Sequence, residues 1–301
     1  MTLPVPQPAG PPMTPPVPQS AGPPMTPRQA VRAHPGVAAA LLAAAAVAWW
    51  STAERMAGMD AGPGTALGAL GWFTGVWAVM MAAMMLPSLA PTAAVYAALV
   101  RREPSRALPR RVLPSRVLPS RVLLFGGGYL LVWSGAGVLA YALFELGESL
   151  CGGALAWGAG GRWLAAGVLV FAALYQLTSF KRAFLTRCRS PLRFLRASWR
   201  EGRTGAFAMG LRNGGWCLGC SWALMAALFA LGVMSLSWMA LIAGLVALEK
   251  IGPWGRAAKF TTAGVLLVLA IAILAVPHEL PGFVVPGPGS TGSMHAMKAM
   301  G

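Results

Sequence analysis

Residues Trp77 to Pro91, WAVMMAAMMLPSLAP, place four thioethers inside one long apolar run: Met80, Met81, Met84 and Met85. At about 100° per residue, Trp77, the four methionines and Ser88 fall within roughly 140° of one helical face. Met80/Met84 and Met81/Met85 are i, i+4 pairs, so their sulfurs can converge. Thioethers are soft ligands that suit Cu(I). Methionine is also a common filler of irregular apolar packing. Spacing alone leaves both accounts open.

A second soft pair lies far along the chain. Cys217 and Cys220 form a CxxC within Gly214-Gly-Trp-Cys-Leu-Gly-Cys-Ser-Trp222. Their i, i+3 spacing puts both thiols on one helical side, with Asn213, Ser221 and Met225 near it. Two thiolates so placed can hold Cu(I) or Zn(II). They can also form a redox pair, although the βαβ setting of a thioredoxin-like motif is missing. They can equally be inert packing. Gly210/Gly214 and Gly215/Gly219 are small-xxx-small pairs that admit a close neighbour helix.

Two further stretches, both flanking apolar runs, carry soft or hard ligands: Met56, Met59 and Asp60, and the terminal Met294, His295, Met297 and Met300. Met/His clusters of this kind can capture copper. His34 and His278 read as solvated boundary residues. Glu249 and Lys250 end an apolar run and read as an ion pair with each other at a membrane boundary. Arg212 either reaches the surface along its stem or faces an anion. The sequence has no Ser-His-Asp arrangement, phosphate-cradling loop or HExxH, and with only eight acidic residues little material remains for hydrolysis or proton relays. A non-enzymatic role is therefore expected, and a membrane thiol oxidoreductase is the enzymatic alternative.

The elements that must position these groups are apolar helices. The chain of 301 residues is 56% hydrophobic and 11% charged, and its mean hydropathy is +0.62. Soluble domains carry about 25% charged residues. Net charge is +16, yet 20 of the 24 basic residues fall in four stretches between apolar runs: Arg28 and Arg32, residues 101–121, 181–203 and 250–259. That is the positive-inside pattern of a membrane protein rather than a nucleic-acid surface. Four cysteines are too few and too scattered for a disulfide framework. A spanning helix needs about 20 apolar residues, and seven runs approach this: 37–53, 70–100, 122–146, 162–180, 206–232, 236–248 and 260–277. Pro87 and Pro91 should kink or break the second. The charge pattern places the N-terminus inside and the C-terminus outside, in the inner membrane of a bacterium.

This gives an all-α, polytopic bundle with three parts. Residues 1–35 are a Pro-rich tail with a 12-residue tandem repeat, PVPQPAGPPMTP and PVPQSAGPPMTP, of a kind that buries no core. Residues 36–278 form the transmembrane domain, with Arg-rich cytoplasmic loops at 101–121 and 181–203. Residues 279–301 form an external Met/His tail.

Several segments resemble one bacterial family. They are MMAAMMLPSLAP (80–91), KRAFLTRCRSPLRF (181–194), WREGRTGAFAMG (199–210), GGWCLGCSWALMAALFALGVMSLSWM (214–239) and EKIGPWG (249–255). The family is the predicted metal-binding integral membrane family, domain of unknown function 2182, sometimes labelled copper chaperone. The resemblance spans about residues 37–277. Its double-methionine motif matches Met80, Met81, Met84, Met85, Pro87 and Ser88. Its K-x-x-C-L-x-x-C-R pattern matches at Lys181, Leu185, Cys188 and Arg189, with Phe184 at the first cysteine position. Its G-C-C-W pattern matches at Gly219, Cys220 and Trp222, with Ser221 at the second cysteine, and Ser235 follows Met234 where the family has Asn. The resemblance implies metal binding. With two thiols absent, it favours a mixed site of Met80, Met81, Met84, Met85, Cys217 and Cys220 for copper. Met225, Met294, His295 and Met297 are secondary ligands. The expected partners are lipid, a metal ion, and a membrane protein or second copy. A non-catalytic membrane subunit is the other reading.

Overall fold

A computed structural model of the chain describes residues 32, 34–56, 69–102, 117–151, 160–232, 235–251 and 255–275. The described residues form nine helices and no strand. These are α1 (Pro35–Met56), α2 (Leu70–Arg102), α3 (Val117–Cys151), α4 (Arg162–Leu177), α5 (Ser179–Cys188), α6 (Pro191–Ser198), α7 (Gly202–Leu231), α8 (Leu236–Ile251) and α9 (Gly255–Ala275). Each of the seven apolar runs becomes a helix, so the all-α expectation holds. Five helices (α1, α2, α3, α7 and α9) are long and apolar enough to cross a membrane. A sixth crossing arises if α4 and α5, bent by 69°, are one span. With 16 residues, α8 is shorter than a typical crossing helix.

The core is built on α2 and α7. α7 packs against α3, α4, α5 and α8, and α2 against α1, α3, α6 and α8. Large aromatic residues fill the space between them: Phe73, Trp77, Tyr96, Phe125, Tyr129 and Trp133 are buried. The crossing of α3 on α7 needs glycine. A Cβ at Gly128 would collide with the Phe207 carbonyl, and one at Gly210 with the Phe125 carbonyl. One turn on, a Cβ at Gly214 would stand 3.0 Å from the Tyr129 carbonyl. The Gly210/Gly214 pair therefore does what small-xxx-small spacing predicts. Gly215 faces open space, while Gly219 receives the Phe184 ring, so the second pair seats a side chain rather than a helix.

Of the kink or break expected at Pro87 and Pro91, the break does not occur: α2 runs through both. Each proline deprives the carbonyl four residues earlier of its amide, at Ala83 and Pro87. Packing on all sides tolerates this, and the Ser88 hydroxyl donates to the Met85 carbonyl at 2.8 Å. The 181–203 stretch is not a loop: it contains α5 and α6. α6 begins with Pro191, which is pre-organised for a first helical turn. It buries Pro191, Phe194, Leu195 and Ser198 while Arg193 and Arg196 face outward. Arginine density masked that amphipathic period. Residues 1–31 and 33 of the Pro-rich tail, residues 103–116, Met59 and Asp60, Met234 and the tail from residue 276 lie outside the described residues.

Thr178 makes the bend. Its backbone is extended (φ −67, ψ 151). Its side chain accepts from the Lys181 amide at 3.2 Å, the ordinary N-cap bond, and donates to the Tyr175 carbonyl at 2.8 Å. One residue thus ends α4 and starts α5.

Candidate metal centre

Met80, Met81, Met84 and Met85 are all buried. Because α2 is central, burial by itself does not separate a ligand from packing. Contact does so for one of them. The Lys250 ammonium, at the end of α8, donates to the Cys217 sulfur at 2.8 Å and approaches the Met85 sulfur at 3.8 Å. Sulfur atoms from α2 and α7 therefore face the same half-buried cation. The Tyr129 hydroxyl lies 2.8 Å from the Cys217 sulfur on its other side. Lysine can only donate, so Cys217 acts as acceptor toward α8.

The glycine crossing makes this arrangement possible. Tyr129 sits on the stretch of α3 that Gly210 and Gly214 admit, and Cys217 follows Gly214 by three residues on the same side of α7. Trp77, on the methionine side of α2, has a structural role. Its indole N–H donates to the Trp133 carbonyl at 2.8 Å, and its ring packs on Phe229 at 5.2 Å.

Cys220 has different neighbours. Its sulfur lies 3.7 Å from that of Cys188, at the end of α5, and 3.4 Å from the Ser221 hydroxyl. Its thiol donates to the Cys217 carbonyl at 3.1 Å. Ser221 thus puts a hydroxyl where the family pattern has a thiol. Phe184 fills the other departure: it packs on Gly219 and on Trp216 at 5.2 Å. Arg187 stacks over Trp216 at 4.1 Å. These contacts seat α5 on α7. Met225 and Asn213 are buried on α7, whereas Arg212 is exposed.

Glu249 and Lys250 do not pair with each other. Glu249 accepts from the Lys181 ammonium at 2.6 Å, both buried, while Lys250 turns to the sulfurs. Successive helical residues point about 100° apart, so consecutive charges at the end of α8 serve two neighbours. The other Glu249 oxygen has no hydrogen-bond partner, nor does either amide atom of Gln176 near the bend.

Among the described residues, no group of three or more His, Cys, Asp and Glu is placed to hold an ion. At this centre methionine sulfur stands beside the thiols as a soft ligand. Hard cations need several oxygens, and the one carboxylate nearby is held by Lys181. Sequence reasoning found Met85, Cys217 and Cys220, and noted Cys188 only as a motif position. It missed Tyr129 and the role of Lys250. Each is a polar residue in or at the end of an apolar helix, which was the available signal.

A family model described as copper chaperone, PpoB2, matches residues 74–273, consistent with the resemblance carried by the motifs. α1 precedes the matched range. No curated protein matches the chain, and no solved structure does.

Proposed function

The chain belongs to this copper chaperone family, and from that premise we propose that it carries Cu(I) within a membrane. Met80, Met81, Met84, Met85, Cys217 and Cys220 supply the ligands, and Met225 adds a neighbouring thioether. Met294, His295 and Met297 of the C-terminal tail serve as an outer capture point. The carrier makes and breaks only metal–ligand bonds, so it is no enzyme. The apolar helices lie in the bilayer of a bacterial plasma membrane, with the basic stretches and the N-terminus on the inner side. Counting α8 and the bent α4–α5 unit as crossings gives seven.

The observation behind this reading is the convergence of the Met85 thioether and the Cys217 thiol on one monovalent cation, the Lys250 ammonium. Cu(I) has the same charge and prefers these atoms to oxygen or nitrogen donors. Glu249, the neighbouring carboxylate on α8, is paired with Lys181.

Purified wild-type protein, loaded anaerobically with Cu(I), is expected to retain copper through gel filtration. Met80→Leu/Met84→Leu, Met85→Leu and Cys217→Ser/Cys220→Ser should each weaken binding by about 10- to 100-fold. Unchanged stoichiometry and affinity in all of them would overturn the proposal.

A further inference from the structure

Cys188 is the third free thiol of the described residues, and unlike Cys217 and Cys220 it is only partly buried. It closes α5, which is seated on α7 through Phe184 and Arg187 and tied to Glu249 of α8 through Lys181, and it stands opposite Cys220. The soft atoms then follow one another from the interior outward. Met85 and Cys217 meet at Lys250, Cys220 bonds to the Cys217 carbonyl, and Cys188 stands 3.7 Å from Cys220.

We propose that Cys188 and Cys220 form a second, outlet station for Cu(I), through which the ion leaves the Met85/Cys217 centre. This rests on the copper reading above. The spacing is within reach of it: the sulfurs stand 3.7 Å apart, and a linear complex with each about 2.3 Å from the ion needs them about 4.6 Å apart. The pair therefore has to open by about 1 Å to close on the metal. The surroundings suit it too. Arg187 and Arg189 flank Cys188 in sequence, and cationic neighbours favour the anionic complex of two thiolates with one Cu(I). Glu249, the nearby carboxylate, is already engaged by Lys181.

The transfer is ligand exchange without electron transfer. The Met85–copper and Cys217–copper bonds break as the Cys188–copper bond forms, and Cys220 stays bound throughout. Copper remains Cu(I). The proton displaced from the Cys188 thiol leaves to water at the exposed end, and Cys217 recovers the Lys250 ammonium as its counter-charge.

The experiment uses full-length protein in nanodiscs, loaded anaerobically with Cu(I) and mixed with the anionic chelator bathocuproine disulfonate. Cys188→Ser and Cys188→Ala should each keep the ion at the Met85/Cys217 centre and release it about tenfold more slowly than wild type. A second readout needs no variant: copper loading of wild type should slow alkylation of Cys188 by N-ethylmaleimide about tenfold, read by mass spectrometry. Wild-type release in both variants, or unprotected Cys188 in copper-loaded wild type, overturns the outlet and leaves the carrier reading standing. Failure of wild type to bind copper at all overturns both.

Discussion

Lys250 decides how tightly the buried sulfurs can hold a cation. A hydrogen bond from a charged group contributes about 1.5–3 kcal/mol, and incoming Cu(I) must displace it from Cys217. Lys250→Met keeps the stem and removes the competitor. We expect this variant to bind Cu(I) about tenfold more tightly, since about 1.4 kcal/mol is one decade; competition against a chelator of known affinity checks it. A second residue-scale prediction concerns Lys181. Lys181→Met strands Glu249 as a buried charge and should lower stability by about 3–5 kcal/mol. Lys181→Met/Glu249→Leu should recover much of it, measured by unfolding in mild detergent. Local spacing revealed the sulfurs but not what they touch. Tyr129 reaches Cys217 across 88 positions and Lys250 reaches it across 33. No period within a helix encodes such a meeting. Adjacency even misled: Glu249 beside Lys250 read as a pair, while the helical turn sends them to different partners.

Helix positions were legible because hydropathy marks them directly, and the Gly210/Gly214 spacing announced a close crossing. What periodicity could not show was which neighbour each glycine meets. Gly210→Ala would push against the Phe125 backbone, which cannot yield as a side chain could. Overpacking of this kind costs about 1–3 kcal/mol. We expect Gly210→Ala to lower the melting temperature and also to weaken copper binding, because Tyr129 and Cys217 are held by that crossing. Gly215→Ala, next to open space, should leave both within about 0.5 kcal/mol of wild type. The misread element was the 181–203 stretch. Arginine at every third or fourth position reads as a solvated loop, yet that spacing also leaves an apolar stripe of Phe194 and Leu195 for α6 to bury.

At the scale of the molecule, the charge asymmetry predicts that α5, α6 and the end of α8 lie on one side of the membrane. Single cysteines placed at Arg193 and Arg196 in a cysteine-free background should react with an impermeant maleimide only in inside-out vesicles. Labelling in right-side-out vesicles would reverse the orientation. The short α8 was the least typical of the seven runs, and it is the helix that contributes both the carboxylate partner of Lys181 and the ammonium at the sulfurs. Its length follows from that duty: a helix ending among the sulfurs can deliver a charged tip to the interior, which a longer one would carry past them.

Glu249 and Lys250 share a peptide bond while gripping different helices. An ion that takes the ammonium's place therefore acts right beside the residue that moors the α4–α5 elbow through Lys181.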